Sequence, residues 1–448
     1  MKAYITQKKG KKYWQELDIS PLTPNYGGGK LNVVVDTNQR FQKFRGFGGA
    51  VTDSCWCAVK VLPTSEQEKI IDALFSPSGL DYNMTRVPMH TTDFSPFSKT
   101  YIDEYDDELK TFDISWDKER LDFYLRCNAK KNGQLFTMLS VWSPPAFMKD
   151  NNSLFKGGKL LDKYKKAWAE YFCRFIEEAG KMGIKFDCLS TQNEPDAVQT
   201  WESCIYSAQD EALFIRDFLH PALVKHGYGD IKIAIWDHNR DIIIQRCLDS
   251  FAIDGVRDLV WGIAYHWYCS EKSENLSTIH ALFPEKEIFL SECCVELAYD
   301  STTGKASVSG LWEHGERYAR HIINDFNNYS QAWIDWNMCL DEQGGPNHVG
   351  NFCEAPIMID KNTKTVHYMN SYYYIGHFSK FIHEGATRVY CANDAVKNIY
   401  STAFVNTNGE VVTVILNTSN RYREVTLTID GQGTSLTLPP HSILTTIK

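Results

Sequence analysis

The chain has 448 residues, of which 43% are hydrophobic and 23% are charged, and its formal net charge is −9. This composition is typical of a folded globular protein that is long enough for one large domain and one smaller domain. The only basic run is the short cluster from Lys8 to Lys12. The charge therefore argues against nucleic acid or an anionic membrane as the main partner.

The chain start and the cysteines bear on location. Residues 1–12 contain no apolar core of the length that a signal peptide needs, and the chain has no apolar run of about 18 residues that could span a membrane. The 13 cysteines are an odd number and are scattered, which favours free thiols over a disulfide framework. We expect a cytoplasmic protein without membrane insertion.

Between residues 44 and 383, short apolar or β-branched runs alternate with longer amphipathic stretches. This alternation is typical of parallel βα units, and eight such units close a barrel. Residues 163–181 show apolar side chains at steps of three and four, which predicts a helix, and 206–225 and 313–327 are similar. The predicted strands are 45–50, 83–88, 135–141, 188–192, 232–236, 262–266, 287–291 and 332–336.

Both ends of the chain have the pattern of strands. After residue 385, β-like runs occur at 403–406, 411–416, 425–429, 435–438 and 443–447, with a hairpin signal at Asn408-Gly409. Residues 14–17 and 31–35 are also strand-like. The predicted fold is α/β, a (β/α)8 TIM barrel with a small antiparallel β-sandwich. We expect strands from 1–43 to join the sandwich, 44–383 to form the catalytic barrel, and 384–448 to form the sandwich domain.

Two glutamates follow predicted strands directly. Glu194 lies in the sequence Asn193-Glu194-Pro195, and Glu292 follows an Ile-Phe-Leu-Ser run. Because the loops after parallel barrel strands build one shared face, these two side chains can meet although they are distant in sequence. A single glutamate is more often a solvated surface group. Two convergent carboxyls, however, are what cleavage of a glycosidic bond by double displacement requires.

Several motifs in chain order carry a resemblance to a known family. They resemble glycoside hydrolase family 30, the glucosylceramidase-like group, and residues 373–381 are similar to the family's last barrel helix. The resemblance covers most of the chain. Several motifs that occur together in the family's order are more specific than any single motif. The segments are 44–53 (FRGFGGAVTD), 85–95 (TRVPMHTTDFS), 190–195 (STQNEP), 265–268 (YHWY), 290–294 (LSECC), 335–337 (DWN) and 344–347 (GGPN).

The resemblance implies roles for the catalytic residues. Glu194 would be the acid/base and Glu292 the nucleophile of a retaining β-glycosidase, and Arg86 would support the nucleophile. We also expect repulsion from Glu292 to raise the pKa of Glu194, which would give a bell-shaped pH profile. Cys294, close to the nucleophile in sequence, is expected to make the enzyme sensitive to thiol reagents.

The resemblance also implies a sugar pocket. Asp93 and Asn351 would hold hydroxyls, Asn193 would hold the 2-hydroxyl, and Trp336 would offer an apolar floor to the sugar. Without the motifs around them, single aromatic or histidine residues are more often part of a core. The residues implied for this pocket are Asp93, Trp142, Asn193, His266, Tyr268, Trp336 and Asn351.

The loop after Glu194 bears on the substrate. Residues 196–204 differ from the animal lysosomal members of the family and more closely resemble bacterial members, which argues against a lipid substrate. Trp201 is expected to stack a second sugar or an aryl group. A β-glucoside is the first expectation, a β-1,6-linked glucan or gluco-oligosaccharide the second, and a β-xyloside or β-fucoside the third.

Rival classes have weaker support. A non-catalytic sugar-binding protein on this fold would be expected to have lost one carboxylate. A metal-dependent barrel hydrolase would need His and Asp clusters at strand ends, for which Asp237-His238 is the only hint, and activity after chelation would dismiss it. Residues 46–49 do not fit a phosphate loop, and the cysteine pairs at 55/57 and 293/294 lack zinc-ligand partners. We expect no cofactor and no metal, and a carbohydrate as the partner.

Overall fold

The computed structural model describes residues 1–24, 31–102, 105–106, 108–297 and 308–448. Eight parallel strands form a closed barrel, and a separate ten-stranded sheet lies beside it. The predicted fold class is therefore confirmed. The first strands in the chain are β1 (Lys2–Gln7), β2 (Lys12–Asp18), β3 (Thr23–Pro24) and β4 (Leu31–Lys43).

The barrel segment comes next in the chain. Its elements are β5 (Gly46–Ala50), α1 (Asp53–Val59), α2 (Thr64–Phe75), β6 (Met84–Met89), α3 (Lys118–Lys130), β7 (Phe136–Val141), α4 (Lys165–Lys181), β8 (Cys188–Ser190), α5 (Ala208–Phe214), α6 (His220–Lys225), β9 (Lys232–Asn239), α7 (Ile243–Phe251), α8 (Val256–Leu259), β10 (Val260–His266), α9 (Glu274–Leu282), β11 (Glu287–Glu292), β12 (Val295–Glu296), α10 (Trp312–Asn327), β13 (Ala332–Asn337), β14 (Cys339–Asp341), β15 (Cys353–Glu354), β16 (Ile357–Asp360), β17 (Thr365–Tyr368) and α11 (Asn370–Ser379). The chain ends with β18 (Thr387–Asn393), β19 (Ile399–Val405), β20 (Val411–Asn417), β21 (Arg423–Ile429), β22 (Gln432–Leu438) and β23 (Ser442–Ile447).

The barrel strands run in the order β5-β6-β7-β8-β9-β10-β11-β13, and β13 closes on β5 with Ala332 opposite Gly46. All eight predicted strands are present. The fourth is shorter than predicted, because β8 ends at Ser190 and not at residue 192. Inside the barrel, apolar side chains such as Met84, Phe289 and Ile334 fill one layer. This packed layer leaves the carboxyl ends of the strands as the place for a site.

The predicted helices are present with altered ends. The helix predicted over 163–181 begins as a 3₁₀ turn, Asp162–Tyr164, before α4. The helix predicted over 206–225 is interrupted by a π-helical turn, Ile215–Leu219, between α5 and α6. Pro221 lies in the first turn of α6 and has no N–H to donate, so regular α-helical bonding cannot continue there.

The second sheet is built from both ends of the chain. Its order is β2-β1-β23-β20-β19-β18-β4-β21-β22-β3, so β1 pairs with the last strand and β4 lies between β18 and β21. Val33, Val35, Ile415, Leu427 and Leu444 belong to its apolar core. The strand predicted at 31–35 continues to Lys43 as β4. Among the described residues, no helix combines the length and apolarity needed to cross a bilayer.

Candidate active site

A cavity of about 300 Å³ opens at the carboxyl ends of the barrel strands. Most of the predicted site residues line it, whereas Arg86 and His266 lie fully buried behind its wall. The structure thus brings together both glutamates and the other residues predicted to hold a sugar, except His266, whose two ring nitrogens face Glu194 and Asp237 and not the cavity. The lining residues are Asp93, Phe94, Trp142, Asn193, Glu194, Gln199, Trp201, His238, Asn239, Tyr268, Cys269, Glu292, Cys294, Glu296, Trp336, Asn351 and Cys353.

The backbone holds Glu194 in the loop after β8. Its N–H donates to the carbonyl of Asp237 at 3.0 Å, and the N–H of Asn193 donates to the carbonyl of Val141 at 2.8 Å. Glu194 has φ 47°, and Trp236 and Asp237 on the neighbouring β9 have φ 75° and 47°. Such left-handed backbone is costly for residues other than glycine and clusters at functional sites. Two adjacent chain segments are thus shaped around this carboxyl.

The Glu194 carboxyl has partners on both oxygens. Its Oε1 lies 3.1 Å from His266 Nδ1 and 3.6 Å from His238 Nδ1, and its Oε2 accepts a hydrogen bond from Gln199 Nε2 at 3.1 Å. The side chain is 12% exposed and faces the cavity. A molecule in the cavity could therefore contact this carboxyl.

Glu292 is the last residue of β11 and also has both oxygens bonded. Arg86 Nη1 donates to Oε2 at 2.5 Å, and the Tyr268 hydroxyl donates to Oε1 at 2.9 Å. Arg86, predicted to support the nucleophile, thus contacts Glu292 directly, and Tyr268, predicted as a pocket residue, does so as well. One donor from β6 and one from the loop after β10 orient this carboxylate and favour its ionised form.

A chain of hydrogen bonds joins the two glutamates. From Glu292 it passes to Arg86, whose Nη2 donates to Asp237 Oδ2 and to Asn193 Oδ1, both at 2.8 Å. Asp237 Oδ1 then lies 3.1 Å from His266 Nε2, and the other ring nitrogen of His266 reaches Glu194. Charges of alternating sign follow one another along this chain. We call it the hydrogen-bond network, which consists of Glu292, Arg86, Asp237, His266 and Glu194.

The pKa values across this network correct one prediction. Burial raises the pKa of Glu194, but His238, His266 and Gln199 outweigh burial and hold it at about 2. Burial lowers the pKa of His238, so His266 is the imidazole that is charged at neutral pH. The prediction that repulsion from Glu292 raises the pKa of Glu194 is therefore wrong for the substrate-free pocket. The physical reason is the buried imidazole that contacts the carboxyl.

The raised pKa values belong to the neighbours of Glu194. Burial raises the pKa of Glu292, although His266 and Arg86 oppose this effect. Burial alone would lower the pKa of His266, but Glu292, Asp237 and Glu194 raise it to about 9. At neutral pH, Glu194 is therefore ionised, and a proton is held one hydrogen bond away from it, on His266.

The rest of the cavity wall offers both apolar and polar groups. Trp142 and Trp336 stack with ring centroids 5.1 Å apart, and the Arg86 guanidinium lies 4.8 Å from the Trp142 centroid. Asn351 Nδ2 donates to Asp93 Oδ2 at 2.9 Å. Indole surfaces suit the C–H face of a sugar, and a paired carboxyl and amide suit its hydroxyls.

Four of the residues that the sequence analysis did not assign to this site make contacts with its predicted members. Gln199 and His238 contact Glu194, Asp237 links Arg86 to His266, and Cys353 lies against Cys294. The only advance signal was the position of Asp237-His238 after a predicted strand, which suggested a metal. The other contacts come from loops whose paths the sequence pattern does not predict.

A metal ion could in principle be held by Glu194, His238 and His266, whose donor atoms all lie within 4.8 Å of one another. In the structure, however, His266 is hydrogen-bonded to Glu194 and to Asp237 through its two ring nitrogens, while His238 lies 3.6 Å from Glu194. Both ring nitrogens of His266 are thus already used in hydrogen bonding. A larger cavity of about 570 Å³ lies between the N-terminal hairpin and α10, and its Glu313 pairs with Lys8.

Comparisons with known proteins agree with this geometry. The description "Glycosyl hydrolase family 30 TIM-barrel domain" matches residues 44–382, and "Glycosyl hydrolase family 30 beta sandwich domain" matches residues 385–446. Together the two matched regions cover most of the chain.

Individual relatives are similar along their length. "Putative glucosylceramidase 3" of Caenorhabditis elegans is 32% identical over 93% of this chain and 82% of its own length. "Lysosomal acid glucosylceramidase" of Mus musculus is 30% identical over 98% of this chain and 86% of its own length. The crystal structure of SrfJ from Salmonella typhimurium has a TM-score of 0.94 and 29% identity, covering 100% of this chain and 99% of that one. This chain belongs to glycosyl hydrolase family 30 and is a glycosidase with a carbohydrate substrate.

Proposed function

We propose that this protein is a retaining β-glucosidase that works by double displacement, with Glu194 as acid/base and Glu292 as nucleophile. The observation that carries the proposal is the meeting of the two carboxyls in one sugar-sized cavity, each in a different electrostatic setting. One carboxylate is held by a guanidinium and a phenol, and the other is next to a protonated imidazole. Such unequal settings assign different roles to two carboxyls.

In the first step, Glu292 attacks the anomeric carbon and the bond to the aglycone oxygen breaks. Arg86 and Tyr268 keep the attacking carboxylate ionised and oriented. Because Glu194 is ionised at neutral pH, the proton passes from His266 to Glu194 across their 3.1 Å hydrogen bond and from Glu194 to the leaving oxygen, which leaves Glu194 ionised and His266 neutral. Because Asn193 Oδ1 accepts from Arg86, its amide nitrogen remains as the donor for the 2-hydroxyl.

In the second step, water replaces the aglycone. Glu194, now ionised, takes a proton from this water, whose oxygen attacks the anomeric carbon of the glycosyl ester. Glu292 leaves as a carboxylate into the same pair of donors. The sugar is released with the configuration that it had in the substrate, since two inversions have occurred.

A β-glucoside is the substrate that we propose first. Asp93 and Asn351, joined by a hydrogen bond, form a polar corner for adjacent hydroxyls, and the stacked pair Trp142 and Trp336 forms an apolar wall. The names of the relatives also support a glucosyl unit. Trp201, partly buried at the cavity, is proposed to contact the aglycone.

Substitution of the nucleophile tests the first role. Glu292→Ala should lose turnover of aryl β-glucosides by roughly 10⁴-fold or more, the scale reached when a nucleophile is removed. Added azide should restore slow turnover and give the α-glucosyl azide, because azide attacks from the vacated side. Asp122→Ala, on the surface helix α3, is the control and should retain activity. If azide gives no product, or if Glu292→Ala remains active, the assignment fails.

Substitution of the acid/base tests the second role. Glu194→Ala should cleave substrates with good leaving groups far better than substrates with poor ones, because only the latter need protonation. Azide should here give the β-glucosyl azide from the glycosyl-enzyme. An equal loss for both kinds of leaving group would contradict this role.

A substrate panel tests the specificity. Aryl β-glucosides should be cleaved faster than the matching β-xylosides and β-fucosides. β-1,6-Linked glucose disaccharides and glucosylceramide in detergent micelles serve as parallel arms that compare a sugar aglycone with a lipid aglycone. Faster cleavage of a β-xyloside would overturn the preference for glucose.

A further inference from the structure

Two cysteines that the proposed mechanism does not use lie together in the wall of the sugar cavity. Cys294 follows the proposed nucleophile Glu292 by two residues, and Cys353 follows the cavity residue Asn351 by two residues. Both line the cavity, and both are at least 96% buried. Their Sγ atoms are 2.8 Å apart, and the Cys294 thiol donates to Cys353.

The backbone holds this pair in register. Cys294 precedes β12 directly and Cys353 begins β15, and these strands pair with Glu296 opposite Cys353 and Val295 opposite Glu354. The Leu297 N–H adds a bond to the Phe352 carbonyl at 2.8 Å. The two cysteines thus lie on a diagonal of this short antiparallel ladder, not directly opposite each other, and their side chains meet across it. To reach a disulfide length of about 2.05 Å, the sulfur atoms need to approach by less than 1 Å.

We propose that Cys294 and Cys353 are a disulfide-forming site within the wall of the active-site cavity, oxidised by a small peroxide that enters this cavity. The Cys353 sulfur, which accepts the bond from Cys294, attacks one peroxide oxygen and expels hydroxide, giving a sulfenic acid. The Cys294 sulfur then attacks that sulfur and expels water. In sum, two thiols and one hydrogen peroxide give one disulfide and two waters.

The disulfide has a consequence for the nucleophile. Cys294 Sγ lies 3.5 Å from the Tyr268 hydroxyl, which donates to Glu292 Oε1. Oxidation draws this sulfur towards Cys353 and away from the Tyr268 hydroxyl, which changes one of the contacts that position Tyr268 against Glu292. Turnover then falls, and it recovers when a reductant restores the thiols. Burial raises the pKa of both thiols, which makes the oxidation slow.

The test uses the full chain, reduced and then treated with excess hydrogen peroxide at neutral pH. After the remaining thiols are alkylated, intact mass should show the loss of two hydrogens, and peptide mapping should show one cross-link between Cys294 and Cys353. A dithiol reductant should reverse both. Absence of the cross-link, or separate oxidation of each thiol to sulfinic acid, would overturn the inference.

Cys293 provides a matched control beside the site. Its Sγ points towards Asp335 Oδ1 at 3.4 Å and not towards Cys353. Cys293→Ala should keep the cross-link, whereas Cys294→Ala and Cys353→Ala should each lose it. Near-ultraviolet circular dichroism checks that each variant is folded, and either of the last two variants suffices for the test. A cross-link that persists in both would contradict the pairing.

The cross-link and the proposed β-glucosidase activity rest on the same cavity but are measured independently. The cross-link is read by mass on the resting protein and needs no assay of hydrolysis. A failed β-glucosidase assignment would appear as missing turnover with an intact cross-link. Turnover that stays unchanged after complete cross-linking would overturn the link to Tyr268.

Discussion

The active-site end of the barrel and the ten-stranded sheet are stabilised in opposite ways. In the pocket, Arg86, Asp237 and His266 are fully buried and charged, and each contacts a group of opposite charge. In the sheet, Val33, Ile415 and Leu427 are as deeply buried but wholly apolar. The side chains are equally buried in the two regions, but paired charges compensate burial in the pocket, whereas the hydrophobic effect favours it in the sheet.

This difference predicts how each region responds to substitution. Truncation of a buried aliphatic side chain in the sheet loses hydrophobic transfer free energy and leaves a cavity, but it leaves no buried charge without a partner. Removal of one charge from the pocket leaves its partner buried and uncompensated. Substitutions in the pocket should therefore lower both the free energy of unfolding and the turnover, whereas substitutions in the sheet should lower the free energy of unfolding alone.

The largest expected effect is at Arg86. Arg86→Met leaves Asp237 and Glu292 without their cation, which should lower the free energy of unfolding by about 3–5 kcal/mol and also abolish most turnover. Urea unfolding and aryl-glucoside assays measure the two losses. The control is Arg126→Met, because Arg126 pairs with Glu68 at the surface and should change both quantities little. A stable and active Arg86→Met variant would contradict the claim that Arg86 and its two carboxylate partners depend on one another.

A sheet substitution gives the contrasting result. Leu427→Ala in β21 should lower the free energy of unfolding by about 2–5 kcal/mol, since a fully buried leucine is truncated. The turnover of the folded enzyme at 25 °C should stay unchanged. Thermal unfolding followed by circular dichroism measures the loss of stability, and kcat measurements show whether turnover is unchanged. A large fall in kcat would show that the sheet and the pocket are coupled.

The pH dependence separates the two regions further. The pKa of His266 is raised from 6.5 to about 9 in the folded protein, so its stabilising contribution is complete below pH 6.5 and is lost as pH rises through 9. The loss should be on the order of 3 kcal/mol. The basic limb of the kcat/KM profile should follow the same proton. His266→Gln should remove this stability change and move the basic limb to lower pH. An unchanged profile would contradict His266 as the proton source.

The smallest expected effect is at Gln199. Gln199→Met removes the donor on Glu194 Oε2 and should raise the pKa of Glu194 slightly, with a loss of turnover below about 10-fold. The loss should be greater for poor leaving groups. Thr200→Ala, at the exposed neighbouring position, should change neither quantity. Equal losses for all leaving groups would indicate a purely structural role for Gln199.

The sequence predicted the parts of the molecule that follow from local pattern. Periodicity located the eight barrel strands, and the position of Glu194 and Glu292 after two of them predicted their convergence. The π-helical turn at 215–219 was not predicted, because its cause is a single proline within a continuous apolar pattern.

The electrostatics could not be predicted in the same way. The sign of the pKa shift at Glu194 depends on which side chains from other strands and loops reach its oxygens, and His238, His266 and Gln199 come from three separate segments. The contact of Cys353 with Cys294 likewise depends on the path of a loop. Sequence patterns indicate which residues lie near the site, but they do not give the contacts that set charge.

The most direct test of the central claim is the anomeric configuration of the first product. Proton NMR of the wild-type enzyme acting on an aryl β-glucoside, recorded before mutarotation, should show β-glucose forming first and α-glucose appearing only later. This result follows if Glu292 forms a glycosyl ester and Glu194 activates the water. Initial formation of α-glucose would mean a single displacement and would contradict the roles assigned to both carboxyls.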